Sequence, residues 1–202
     1  MKNIKLLSLF TFLLFTSNSF AGVLVEPFVG FGIGSGEYKS GSQTADNTYT
    51  GPQLGARLGY SFLGLMGGLE YRNTSGSLSY DSHSGGGTWA NSGTDQDYSG
   101  TELGAFIGYE LPILLRAYVG YTFSTKWELD NNAAWLGASG DELSGNTTTL
   151  GVGFTGLPFV SLNVEFRMIA LDKFKDASAG TETTADYSSN EVVFGASLPL
   201  DF

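Results

Sequence analysis

Between Glu102 and Phe123 the chain alternates apolar and non-apolar residues through two runs joined at Pro112-Ile113-Leu114, and this period of two constrains the fold more than any other feature. In the first run Leu103, Ala105, Ile107, Tyr109 and Leu111 share one face, with Glu102, Gly104, Phe106, Gly108 and Glu110 on the other. In the second, Leu115, Ala117, Val119, Tyr121 and Phe123 oppose Arg116, Tyr118, Gly120 and Thr122. A half-buried strand of a soluble sheet would carry Lys, Glu and Thr on its second face. Here that face holds glycine, aromatics and sparse ions of both signs, which suits a narrow enclosed space. The pattern is that of a strand with lipid on one side and a lumen on the other.

The rest of the chain repeats it. A first strand is expected from Val23 to Ser35, then a long polar loop from Gly36 to Thr48, a second strand from Tyr49 to Phe62 and a Leu63-Gly64 turn. A third strand runs from Leu65 to Leu78, and a second long loop from Ser79 to Asp97 leads into the central hairpin, which supplies strands four and five. A third loop, Glu128 to Gly145, precedes a strand with Leu150, Val152 and Phe154 outward. After Gly156-Leu157-Pro158, Val160, Leu162, Val164, Phe166 and Met168 alternate with Ser161, Asn163, Glu165 and Arg167. The fourth loop spans Asp172 to Ser189, and Val192, Phe194, Ala196, Leu198, Leu200 and Phe202 line one face of the last strand. The expectation is an all-β, eight-stranded antiparallel up-and-down transmembrane β-barrel with four long outer loops and three short periplasmic turns. A lipocalin-like barrel also has eight alternating strands, but it would have to solvate the Leu, Val and Phe rows or bury the Glu/Arg set.

Residues 1–21 read as a cleaved export signal: Lys2 and Lys5, an apolar run from Leu6 to Phe15, and small residues at Ser19 and Ala21 before Gly22. The run is about half the roughly 20 residues that a spanning helix needs. Residues 22–202 then form one barrel domain. No later stretch suits a membrane helix, so any spanning structure is built of strands. Twenty acidic against ten basic residues exclude nucleic acid as a natural partner. The absence of cysteine removes disulfides and thiolate metal sites, and no cofactor is expected.

This alternation, together with the terminal Phe202 and its partners Leu200, Leu198 and Ala196, resembles the small outer-membrane β-barrel family of the OmpA-barrel and OmpX type. The likeness covers residues 22–202. It implies a place in the outer membrane of a Gram-negative bacterium, contact with outer-membrane lipid and lipopolysaccharide, and a monomer. It also implies that Phe202, Leu200 and Leu198 form the signal read by the barrel assembly machinery, with Pro199 a departure from the usual pattern. The cell-wall anchoring of OmpA-type proteins does not carry over.

The inward positions include Glu26, Arg57, Glu70, Arg72, Glu102, Glu110, Arg116, Glu165 and Arg167. A two-residue turn at Leu63-Gly64 sets Arg57 opposite Glu70, and a three-residue turn at Pro112–Leu114 sets Glu110 opposite Arg116. These ions are expected to form a salt-bridge network that plugs a barrel already narrow enough for side chains to fill. The outcome is a structural or surface-interaction protein that is not an enzyme, with an unidentified ligand at its loops. A narrow pore for ions or small solutes is the alternative, and a lipid-modifying rim enzyme using His83 as base is a second. The acidic loop residues, among them Asp46, Asp95, Asp97, Asp141, Glu142, Asp176 and Asp186, lack calcium-loop spacing. Tyr60, Phe62, Tyr109, Phe159 and Phe202 suit one interfacial girdle and Tyr49, Tyr71, Phe123 and Trp127 the other.

Overall fold

The computed structural model describes residues 22–85, 95–133 and 135–202; the expected export signal lies outside the described residues. Eight antiparallel strands follow the chain: β1 (Gly22–Ser40), β2 (Gln43–Phe62), β3 (Leu65–Ser84), β4 (Gln96–Leu111), β5 (Leu115–Leu129), β6 (Glu142–Phe154), β7 (Ser161–Lys175) and β8 (Glu182–Ser197). Each pairs with the next, and β8 pairs back onto β1 from Phe28–Ser197 to Tyr38–Tyr187, so the sheet closes. Closure pairs the backbone groups of every strand, which is what a strand needs to cross hydrocarbon.

The chain end is interrupted at Pro199, which has no N–H to give to the ladder. Two-residue β9 (Leu200–Asp201) then resumes pairing with Val25 and Leu24, and Phe202 exchanges backbone hydrogen bonds with Val23 at 3.0 and 3.1 Å. Leu198, Leu200 and Phe202 all face outward.

Around the lower part of the barrel the outward positions form an apolar belt. Val29, Phe31, Leu54, Leu58, Leu69, Ile107, Val119, Val152, Val164 and Phe194 are all more than 40 % exposed. Large aliphatic side chains in a continuous outward band are stable only against lipid, so the belt marks the membrane. Leu63-Gly64 turns β2 into β3 with φ of 52° and 79°, the left-handed conformation that a two-residue hairpin requires.

The outer connections differ from the four long loops expected. Gly36 to Thr48 is strand: β1 and β2 extend to a Gly41-Ser42 turn, with Ser35 to Ser40 in register against Thr48 to Gln43. β3 continues to Ser84, and residues 86–94 of the second expected loop lie outside the described residues. β7 and β8 extend to Lys175 and Glu182, so the fourth loop shrinks to the Asp176–Thr181 turn. Only the third remains a substantial loop among the described connections, from Asp130 to Asp141. The cause is the solvent. Past the membrane surface the outward side of a strand meets water, so its residues become Ser, Thr, Asp and Asn while the backbone pairing carries on.

The binary pattern therefore inverts along each strand. On β2, Arg57 and Gln53 point in with Leu58 and Leu54 out; higher up, Tyr49 and Ala45 point in while Thr48 and Thr50 face water. On β7, Glu165 and Arg167 give way inside to Ile169 and Leu171. Below the boundary the barrel is greasy outside and polar inside; above it the barrel has a soluble protein's order.

Candidate functional site

The candidate site is the lumen, and three layers of side chains occupy it. At the periplasmic end Leu24, Met66 and Phe106 pack together. Above them lies an ionic layer of Glu26, Arg57, Glu70, Arg72, Glu102, Arg116, Glu165, Arg167 and Glu191. The outer end is filled by an aromatic and aliphatic cluster drawn from β2 to β8 and from the β5–β6 loop.

The ion pairs follow from register and from the diameter of the barrel. Arg57 stands opposite Glu70 on the neighbouring strand, and its Nε donates to Glu70 Oε2 at 2.6 Å. Its terminal nitrogen crosses the lumen to Glu165 Oε1 on β7, also at 2.6 Å. Arg72 donates to Glu70 and Glu165 at 2.9 and 2.7 Å and to Gln53 Oε1. Arg116 of β5 reaches Glu26 of β1 on the opposite wall, together with Asn163 Oδ1 at 2.8 Å and Ser197 Oγ at 2.9 Å. Arg167 bonds both Glu102 and Glu191, the latter at 2.7 Å.

These are cross-lumen struts as well as neighbour-strand pairs. Each guanidinium serves two or more acceptors, a geometry that its planar fork suits and a lysine ammonium does not. All four arginines of the chain are here, 1–2 % exposed, whereas Lys39, Lys126 and Lys173 make their ion pairs in the exposed outer part. Phe28 and Tyr118 add cation–π contacts: the Arg57 carbon lies 5.0 Å from the Phe28 ring and 4.4 Å from Tyr118. Gly151 makes room for Tyr118, whose ring carbon would lie 2.1 Å from any Cβ there, and the freed phenol donates to Glu165 Oε1 at 2.7 Å. A void of about 10 Å³ in this layer, bounded by Phe28, Arg57, Arg72, Asn163 and Glu165, holds about one water.

Two sequence expectations change here. Glu110 is in register with Arg116 but is exposed at the periplasmic rim and makes no ion pair among the described residues, because Arg116 is drawn inward to buried Glu26 while a rim carboxylate is solvated without cost. Tyr49 and Trp127 are not girdle residues; they are 2 % and 1 % exposed inside the lumen. Tyr49 shares the parity of Gln53 and Arg57. Trp127 is turned inward by a bulge: the β5–β6 register shifts between Thr122 and Thr125, so inward residues are even-numbered before it and odd-numbered after it. Tyr71 and Phe123 do face outward.

Sequence reasoning missed Glu191, although the parity that sets Val192 outward sets Glu191 inward. It also missed the outer plug. There Tyr98 stacks on Trp127 at 4.4 Å between ring centroids, and Tyr49 and Tyr187 meet the same indole edge-on at 5.8 and 5.5 Å. The β5–β6 loop folds over this stack and inserts Trp135 and Leu136, 3 % and 7 % exposed. Asp141 fastens the lid, accepting from the Ala138 amide of its own loop at 2.8 Å and from the Ala177 amide of the β7–β8 turn at 2.9 Å.

His83 lies on the exposed outer part of β3, its Nδ1 2.6 Å from the Tyr80 hydroxyl. Ser82 turns to Asp46 at 2.9 Å. Asp176 is held below the usual carboxylate range by the Ser178 hydroxyl and the Ala179 and Ser178 amides, which makes it a turn-capping residue. Among the described residues no three His, Cys, Asp or Glu side chains group as metal ligands.

No family model matches the chain, and no curated protein matches it. Solved structures do. One is the attachment invasion locus protein Ail of Yersinia pestis, in complex with the heparin analogue sucrose octasulfate, at 13 % identity and a TM-score of 0.54 over 89 % of this chain and 99 % of that one. Another is the outer membrane protein AlkL in lipid bilayers, at 14 % identity and a TM-score of 0.50 over 93 % and 94 %. At such identities the shared property is the fold.

Proposed function

We propose that this chain, an eight-stranded β-barrel of the Gram-negative outer membrane with the fold of the small OmpA/OmpX-like barrels, is a closed, non-conducting surface protein that acts through its outer end. One observation carries the proposal: side chains occupy the lumen from the Leu24–Met66–Phe106 cluster, through the Glu/Arg layer, to the Trp127 stack. A pore would need a continuous polar path, and a void of about 10 Å³ beneath an apolar plug does not supply one.

The strand extensions carry the acting surface out into water, where Glu37, Asp46, Asp81, Glu128, Asp130, Asp172, Asp176 and Glu182 outweigh Lys39, Lys126, Lys173 and Lys175. That charge disfavours a polyanion of the kind bound to Ail and favours a cationic or neutral partner. Lipid and lipopolysaccharide surround the belt, Phe202, Leu200 and Leu198 serve as the assembly signal on the outward face, and the barrel acts as a monomer.

Single-channel recording after reconstitution into planar bilayers tests the closure. The expected record shows no unitary steps at neutral pH. Regular, ion-selective openings from the folded protein would overturn the reading and make the lumen a transport path.

A further inference from the structure

The lumenal charges do not balance. Four guanidinium groups, Arg57, Arg72, Arg116 and Arg167, face five carboxyl groups, Glu26, Glu70, Glu102, Glu165 and Glu191. No ionisable side chain lies in residues 86–94 or at Ala134.

The imbalance has a location. Arg57 and Arg72 share Glu70 and Glu165, and Arg116 holds Glu26, so three cations meet three carboxylates in the lower part of the layer. At its top Arg167 alone serves Glu102 and Glu191, both 2 % exposed. The other charged or titratable groups nearby are Arg72 and Glu70 of β3, Arg57 and Tyr49 of β2, Tyr98 of β4, Glu165 of β7 and Tyr187 of β8; β1, β5 and β6 present no cation at this level. The four oxygens are not equally served. Glu191 accepts from Gln53 Nε2 on one and from Arg167 on the other; Glu102 accepts from Arg167 on Oε2, and its Oε1 has no donor among the described residues, while Glu26 Oε2 in the lower part also lacks a hydrogen bond but faces the Arg57 guanidinium at 3.7 Å.

A carboxylate oxygen buried without a donor, in a layer with one negative charge too many, is among the costliest polar arrangements. A metal cation would need several oxygen ligands and space between them. The void of about 10 Å³ in the ionic layer lies lower, beside Arg57, Asn163 and Glu165, and among the described residues no three acidic or histidine side chains group as metal ligands. A proton needs neither ligands nor space.

We propose that Glu102 and Glu191 form a buried proton-binding site that holds one proton at neutral pH, shared by the two carboxyls on either side of Arg167. Two carboxyls competing for one compensating charge keep a single proton between them. The site makes the lumen electrically neutral, and loss of its proton puts the excess charge beneath the aromatic plug. The proposal rests on the lumen being closed to solvent ions, which the conductance record tests separately.

Infrared spectroscopy of the refolded barrel carrying side-chain-labelled glutamate tests it directly. The expected spectrum at neutral pH shows a protonated-carboxyl band of about one group per chain, absent in Glu102→Gln and Glu191→Gln, each of which balances the charges. The wild-type barrel should also unfold faster as pH rises, while Glu191→Gln stays flat, because the folded state alone holds the extra proton. The wild-type spectrum decides even if neither variant folds. No such band overturns the proposal. Stability that rises specifically with sodium, without the band, puts a metal cation there instead. A band unchanged in both variants places the proton elsewhere and also refutes the assignment. A non-conducting barrel with no band would sink the proton site and leave the closed lumen standing.

Discussion

Replacing Arg116 by methionine isolates one strut of the lumen. Among the described residues Arg116 is the only cation hydrogen-bonded to Glu26, whose side chain is wholly buried; the next, Arg57, is 3.7 Å away and makes no hydrogen bond to it. Methionine fills much of the arginine's volume, so the packing loss is small and the main effect is a buried carboxylate without its partner. Removing one member of a buried pair costs about 3–5 kcal/mol, and the residual attraction of Arg57 points to the lower end of that range. Changing Glu26 to glutamine in the same chain removes the stranded charge while keeping a polar side chain of nearly the same size. The double variant should then recover about 1–3 kcal/mol relative to Arg116→Met alone, although it lacks one more ionic group. Urea unfolding of the refolded barrel in lipid vesicles measures this, with the buried Trp127 and Trp135 as fluorescent reporters and a cold gel shift for the folded fraction. Because Arg116 and Glu26 lie on opposite walls, β5 and β1, the coupling reports on the lumen and not on neighbouring strands. If the double variant unfolds as easily as Arg116→Met, or more easily, the buried-pair argument is wrong.

Gly151→Ala should destabilise the barrel by about 1–3 kcal/mol, since a Cβ would sit 2.1 Å from the Tyr118 ring and push its hydroxyl off Glu165; unchanged urea stability would contradict the tight seat. Asp141→Ala should free the lid formed by the β5–β6 loop, because the Ala138 and Ala177 amides lose a charged acceptor worth about 1.5–3 kcal/mol each. Hydrogen exchange at those two amides should then quicken by at least about tenfold while β2 and β7 keep their protection, and equal rates would show that Asp141 fastens nothing.

The lower half of the barrel was legible because lipid enforces a simple rule there. Leu103, Ile107, Val119 and Phe166 have to face out, and strict alternation then dictates that Glu102, Arg116 and Arg167 face in. The same logic set Arg57 against Glu70 once the Leu63-Gly64 turn was recognised. Above the membrane the rule reverses and its signal weakens. Polar outward residues such as Thr48, Asp97 and Ser188 look like loop, and the inward residues Tyr49, Tyr98 and Tyr187 go unnoticed between them. Trp127 was misplaced for a different reason: the bulge beyond Thr122 adds a residue to one strand, and nothing in the local composition announces the change of face.

Period and polarity by themselves determined that the chain spans a membrane with eight strands, which aliphatic residues of the lower barrel meet lipid and most of the ions that enter the lumen. Those are local properties, since a strand's two faces are dictated by its own backbone. Only the closed barrel decided the rest. Which arginine reaches which carboxylate depends on the distance across the lumen, so Arg116 crosses to Glu26 and leaves Glu110 to the solvent. The charge deficit around Arg167 and the aromatic plug sealed by Trp135 arise for the same reason: side chains from strands far apart in sequence share one narrow interior, and their sum is a property of the enclosure.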